Sequence, residues 1–209
     1  MNVKDHKAER HLIAGASGTG KTTCLVRVIK GSKPQWLFVF DLEEELAGEL
    51  GLVECTSFEE FTDSLVKQGA VCFNPAVNYA GDIPNVFQMF CEWVLFACDN
   101  LTGKKMFVCD EIQKVTDPLK PMEFCGVIMD ASRRKQLDSA FGCQATNRIH
   151  NGIKGQMTHC YFYTNPVPNA QEFPTHLGVP ESELRTLAEF EFIYAETRTG
   201  AWKKSKIIV

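Results

Sequence analysis

Residues 15–22 read Gly15-Ala16-Ser17-Gly18-Thr19-Gly20-Lys21-Thr22, and this stretch decides the fold. It matches G-x-x-x-x-G-K-[ST] at every position. The apolar run His11 to Gly15 leads into it and a helical pattern, Lys21 to Lys30, leads out, which is the strand–loop–helix context the motif needs. The residue types share one purpose. Glycines let the loop turn tightly and aim backbone N–H groups at phosphate oxygens, and the start of the next helix adds positive potential. Lys21 reaches the β- and γ-phosphates of a nucleotide, and the Thr22 hydroxyl ligates the accompanying Mg²⁺. Gly15 to Thr22, with Thr23 beside them, are therefore the expected nucleotide contacts, and ATP and Mg²⁺ the expected ligands.

Working outward, short apolar runs alternate with helical patterns. Trp36 to Phe40 is apolar at every position and ends in Asp41, as suits a parallel strand covered on both faces. Ser57 and Glu60 have capping-box spacing and predict a helix over Phe58 to Lys67. Further strands are expected at Ala70 to Phe73, Lys105 to Cys109, Ser139 to Cys143 and Cys160 to Thr164. Val86 to Cys98, apolar nearly all round, predicts a buried helix. Pro121 to Ser132 predicts another, followed by Arg133-Arg134-Lys135. Glu189 to Val209 reads as a hairpin around Thr199-Gly200. Strands alternating with helices mean an α/β three-layer domain with a mainly parallel central sheet and a C-terminal β-hairpin. A single domain is expected over 1–209, with its core at about 11–165 and an extension over 166–209.

Two strand ends carry candidate chemistry. Asp110 ends the 105–109 run, where a Mg²⁺-side aspartate belongs, and Glu111 beside it can polarise a water for attack on the γ-phosphate. Gln144 ends the next apolar strand and so falls at the same carboxyl edge, where ligands of such sheets sit. The Asn-Lys-x-Asp of a GTP switch protein is absent, and Asp110 is followed by Glu-Ile-Gln rather than x-x-Gly. A small-molecule kinase would not need a water-activating Asp-Glu pair.

Bulk composition agrees. The chain has 209 residues, 44% hydrophobic and 23% charged, which suits a globular domain rather than a disordered or coiled-coil chain. The longest apolar run, Trp93 to Cys98, is far short of a membrane span, and Met1 to Arg10 lacks the apolar stretch of a signal peptide. Nine scattered cysteines, none in C-x-x-C spacing, read as small core residues in a reducing compartment, and no zinc site is expected. The net charge of −4 is unevenly spread: residues 1–35 carry seven basic and two acidic groups, residues 36–100 one and twelve, and residues 101–165 nine and six. The phosphate chemistry thus falls in basic segments, and the acidic block is expected to be a solvated face away from it or a partner surface.

Together, GASGTGKTT (15–23), MFVCDE (106–111) and SAFGCQATNRI (139–149) resemble the FtsK/HerA superfamily of P-loop ATPases, which are RecA/ASCE-like in fold. The small size is similar to genome-packaging ATPases of membrane-containing viruses. The resemblance implies ATP hydrolysis that drives translocation of double-stranded DNA by a ring-shaped homo-oligomer, docked on a capsid or membrane-vertex protein, in the host cytoplasm or on the virion. It implies Lys21 and Thr22 as phosphate and Mg²⁺ residues, Asp110 as Mg²⁺ support, Glu111 as water activator and Gln144 as sensor. It also implies an arginine reaching a neighbouring subunit's γ-phosphate, a role open to Arg133, Arg134 or Arg148. Lys114, Lys120 and Lys154 are candidate DNA contacts. Two other classes stay open: a nucleoside or nucleotide kinase, and an assembly ATPase acting on protein.

Overall fold

A computed structural model of the chain describes residues 7–117, 119, 123–166 and 172–207. In chain order the elements are β1 (Arg10–Ala14), α1 (Lys21–Ser32), β2 (Trp36–Phe40), α2 (Leu46–Leu50), β3 (Glu54–Cys55), α3 (Phe61–Gln68), β4 (Ala70–Phe73), α4 (Ala76–Tyr79), α5 (Ile83–Asn100), β5 (Lys105–Cys109), α6 (Glu123–Lys135), β6 (Leu137–Cys143), α7 (Asn151–Lys154), β7 (His159–Tyr163), α8 (Glu172–His176), α9 (Glu181–Arg185), β8 (Glu191–Glu196) and β9 (Ala201–Lys206). Among the described residues the strands form one sheet in the order β3-β4-β2-β5-β6-β1-β7-β8-β9. Pairing is parallel from β3 to β7 and antiparallel from β7 through β8 to β9.

The alternation along β2 shows how the layers arise. Phe38 and Phe40 point to one side and Leu37 and Val39 to the other, and all four are buried. On the first side α3, α5 and α6 cover the sheet through a phenylalanine cluster that includes Phe61, Phe73, Phe87, Phe90, Phe107 and Phe141. On the second, α1 and α2 supply Cys24, Leu25, Val26, Ile29, Leu46 and Ala47 against Ile13, Val39, Met106 and Val108. The expected three-layer α/β arrangement with a parallel sheet and a C-terminal hairpin is thus present. Cys24, Cys55, Cys72, Cys91, Cys98, Cys109, Cys143 and Cys160 are buried, as core residues. No helix among the described residues is long and apolar enough to cross a membrane.

Several expectations need correction. The capping box forms, with the Glu60 carboxylate accepting from Ser57 N at 3.0 Å, but Phe58–Glu60 is a 3-10 turn and the α-helix starts only at Phe61. The helix α5 is longer than expected and not buried all round: Phe87, Phe90, Cys91 and Val94 face the sheet, whereas Met89 and Phe96 are exposed. The helix α6 runs to Lys135, so Arg133 and Arg134 lie in its last turn rather than beyond it. Arg and Lys are good helix formers, and cations suit a helix C-terminus. Pro121, the expected start of that helix, lies outside the described residues.

Candidate nucleotide-binding site

The parallel register lines up the ends of four strands. Ala14 pairs with Cys143, Phe141 with Cys109, and Cys109 with Phe40, so Gly15, Gln144, Asp110 and Asp41 emerge along one edge. The loop after β1 is fixed at its start from both sides: Gly15 N donates to Cys143 O at 3.1 Å and Ala16 N to Thr164 O at 3.1 Å. Gly20, with φ 97°, turns the chain into α1 in a backbone conformation that side chains resist. Lys21 folds back over the loop, its Nζ donating to Ala16 O at 2.9 Å, and the Thr19 hydroxyl donates to the same oxygen at 2.8 Å. A cleft of about 310 Å³ opens above the loop, lined by Ser17, Gly18, Gly20, Lys21, Thr22 and Thr23 from the motif and by Asp110, Glu111 and Gln144 from the strand ends.

The two carboxylates at the end of β5 are held differently. Asp110 accepts from Leu42 N and Glu43 N, each at 3.0 Å, and faces Asp41, which itself accepts from Glu45, Leu46 and Ala47 backbone N–H groups at 2.9–3.3 Å. Burial, with a lesser push from the Asp41 charge, lifts the Asp110 carboxyl to about 7 against the pull of those backbone donors. Burial raises Asp41 as well. Glu111 is 5% exposed. Its Oε1 accepts from Gln144 Nε2 at 3.3 Å, and its Oε2 accepts from Gln113 Nε2. Two amides therefore aim one carboxylate at the cleft. Gly142, between them on β6, is required: a Cβ there would stand 2.0 Å from Asp110 O.

No family model matches the sequence, and no curated protein matches it. Solved structures do. The genome packaging NTPase B204 of Sulfolobus turreted icosahedral virus 2, in complex with ATPγS, superposes with a TM-score of 0.77 at 15% identity, over 100% of both chains. VirB4 of Thermoanaerobacter pseudethanolicus gives 0.67 at 12% identity, over 100% of this chain and 93% of that one. EccC of Thermomonospora curvata, in complex with a signal sequence peptide, gives 0.58 at 13% identity, over 95% of this chain and 36% of that one. This is the P-loop NTPase fold. The likeness to a viral packaging NTPase agrees with the resemblance carried by the three motifs.

Within the P-loop NTPase fold, the other expected residues scatter. Arg148 is exposed on a 3-10 turn just beyond Gln144, at the cleft's edge of the sheet but not lining the cleft. Arg133 and Arg134 end α6 beside the start of β6, at the opposite edge, and Arg134 is exposed there. Lys114 is paired with Glu43. The Lys154 ammonium stands 5.9 Å from the ring centroid of Phe173. Lys120 lies outside the described residues.

The acidic block corrects another expectation, because part of it turns into the cleft instead of away. Glu43 and Glu45 line the cleft, and Glu45 Oε2 accepts from the Thr22 hydroxyl at 2.7 Å. Phe190 also lines it, its ring lying where a Cβ on Gly20 would stand 3.1 Å away. Phe190 holds φ at 62°, an unusual value for a bulky residue, and its carbonyl accepts from Ile207 N at 2.9 Å. Asp41 was visible as a strand-terminal acid. Neither Glu45 nor Phe190 carries a local signal, since one is a loop acid and the other precedes a hairpin.

Proposed function

We propose that this chain is a Mg²⁺-dependent ATPase that translocates double-stranded DNA, packaging a viral genome as a ring-shaped homo-oligomer in the host cytoplasm or on the virion. The observation that carries the hydrolytic half is the Glu111 carboxylate, buried at the strand end and oriented by Gln113 and Gln144 over the phosphate loop. In this reading the loop N–H groups and Lys21 hold the β- and γ-phosphates, and the Thr22 hydroxyl, which donates to Glu45 here, would be a Mg²⁺ ligand. Asp110 would support that ion's shell from the end of β5. Glu111 takes a proton from the attacking water as that water closes on phosphorus, and Gln144 fixes the water's position. Bound there, Mg²⁺ would supply neutralisation of phosphate charge.

The choice of DNA as substrate is supported by the match to B204, which spans both chains entirely. Lys114 would then leave Glu43 for a DNA phosphate, and a ring would multiply that contact. EccC supports a second reading, that the substrate is a protein chain, since that match was solved with a signal sequence peptide and covers only part of a longer protein. One experiment separates them: ATP turnover with and without duplex DNA, with oligomer size followed in the same sample. Turnover that rises with DNA in an assembled oligomer is expected. An assembled oligomer indifferent to DNA would remove the DNA reading, and phosphate transfer to a nucleoside in place of hydrolysis would remove both.

A further inference from the structure

At the edge of the sheet opposite the cleft, β1 and β7 begin side by side. His11 stands directly across from His159 in the parallel register. Glu9, two residues before His11, falls on the same face by the period-two alternation of extended chain. Among the described residues these three form the one group of histidine, cysteine or acid side chains whose ligand atoms converge, all within 4.8 Å of one another. His11 Nε2 lies 3.7 Å from Glu9 Oε2, and the two imidazoles stack with centroids 4.8 Å apart.

The other ring nitrogens are already occupied. The Tyr194 hydroxyl is 2.7 Å from His159 Nδ1, and the Tyr161 hydroxyl is 3.4 Å from His11 Nδ1. Each imidazole thus has Nδ1 tied to a phenol and Nε2 left for a ligand, the way outer partners orient metal-binding histidines. Glu196 stands opposite His159 on β8 but accepts from the Thr199 hydroxyl at 3.0 Å, and Lys104 on the other flank pairs with Asp138 at 3.1 Å. Glu9 therefore remains the carboxylate that faces the pair.

We propose that Glu9, His11 and His159 form a three-ligand site for a zinc-type divalent ion that clamps the start of β1 to the start of β7. Two imidazoles and one carboxylate suit Zn²⁺ and its late first-row neighbours rather than Mg²⁺ or Ca²⁺, which prefer all-oxygen shells. In the tetrahedral arrangement such an ion favours, ligand atoms stand about 3.4 Å apart, given bonds of about 2.1 Å. The group, spread over up to 4.8 Å, must close by about 1.4 Å, through rotation of the exposed Glu9 and half-buried His159 side chains. Both clamped strands feed the phosphate loop, one through Gly15 and the other through Thr164, so the ion would stiffen the loop's supports from below. A fourth position is left for water.

The test is titration of the untagged, nucleotide-free chain with Co²⁺ and Zn²⁺. One equivalent of Co²⁺ should bind, giving the visible d–d bands of a low-coordinate site without the near-ultraviolet charge-transfer band of thiolates. Glu9→Gln and His159→Gln, checked for folding by circular dichroism, should abolish those bands. Tyr194→Phe, which removes only the outer partner, should weaken binding about 10- to 100-fold. Zn²⁺ should raise the melting temperature of the parent chain but not of His159→Gln. No binding, a thiolate band, or unchanged affinity in both ligand variants overturns the proposal.

Discussion

Asp110 and Glu111 are neighbours in sequence, yet the structure gives them different surroundings. Glu111 is held by the Gln113 and Gln144 side-chain amides and lines the cleft, whereas Asp110 is gripped by backbone N–H groups and shares its pocket with Asp41. Glu111→Gln keeps the shape and removes the proton acceptor. It should bind ATP with near-normal affinity while turnover falls about 10²- to 10⁴-fold, as read by equilibrium binding and single-turnover assays. The aspartate pair predicts a pH effect of definite sign. Asp110 titrates at about 7 in the folded chain against an ordinary 3.8, so between these values the folded state holds a proton that the unfolded chain has lost. Stability of the nucleotide-free protein from this pair is therefore full below about pH 4, falls as pH rises toward 7, and levels off above it. Glu9, held down at about 2, acts with the opposite sign and only in more acid solution. Urea unfolding at pH 5 and pH 8 should show the parent chain losing more stability at pH 8 than Asp110→Asn does.

Among the elements, α5 contributes most visibly to the core. Phe90 is fully buried, and its ring meets those of Phe40, Phe61, Phe73 and Phe107 at 5.4–6.0 Å. Phe90→Ala should cost about 3–5 kcal/mol in urea unfolding, a large share of the roughly 5–15 kcal/mol typical of a domain. Such elements were legible in the sequence because their pattern is local: β2 is apolar throughout, β5 from Met106 and β6 from Ala140, and each is followed by a polar residue. The strand ends also made Asp110, Glu111 and Gln144 legible as companions of Lys21. The helix α2 was not legible. It is five residues long with a glycine inside, and it is set by Leu46 N and Ala47 N donating to Asp41, a group outside the helix. That same connection swings Glu45 onto Thr22, so an acidic loop that reads as solvated becomes part of the cleft. Phe190 was hidden for a related reason: its place depends on β8 and β9 extending the sheet beside β7, a pairing that no local pattern encodes.

For the molecule as a whole, the proposed ring requires that a site on one subunit be completed by the next. The fold narrows which arginine can do this. Arg148 lies exposed on the cleft's own edge of the sheet, whereas Arg133 and Arg134 lie at the far edge, at the end of α6. In a head-to-tail ring each subunit offers one surface to the neighbour's different surface, so a residue beside one cleft but outside it is placed to serve the adjacent cleft. A guanidinium supplied across that interface would stabilise charge on the transferring phosphoryl group, and its loss should lower turnover about 10³- to 10⁵-fold. Complementation tests the geometry directly. Arg148→Ala leaves its own phosphate loop intact, and Lys21→Ala leaves its own arginine intact. Each variant alone should be inactive. Mixed and allowed to reassemble, a site with Lys21 from the first variant meets Arg148 from the second in about one interface in four, so roughly a quarter of the parent turnover should return. A mixture as inactive as its components would mean that Arg148 serves its own subunit or none, and the in-trans role would then fall to Arg133 or Arg134, tested by the same pairing.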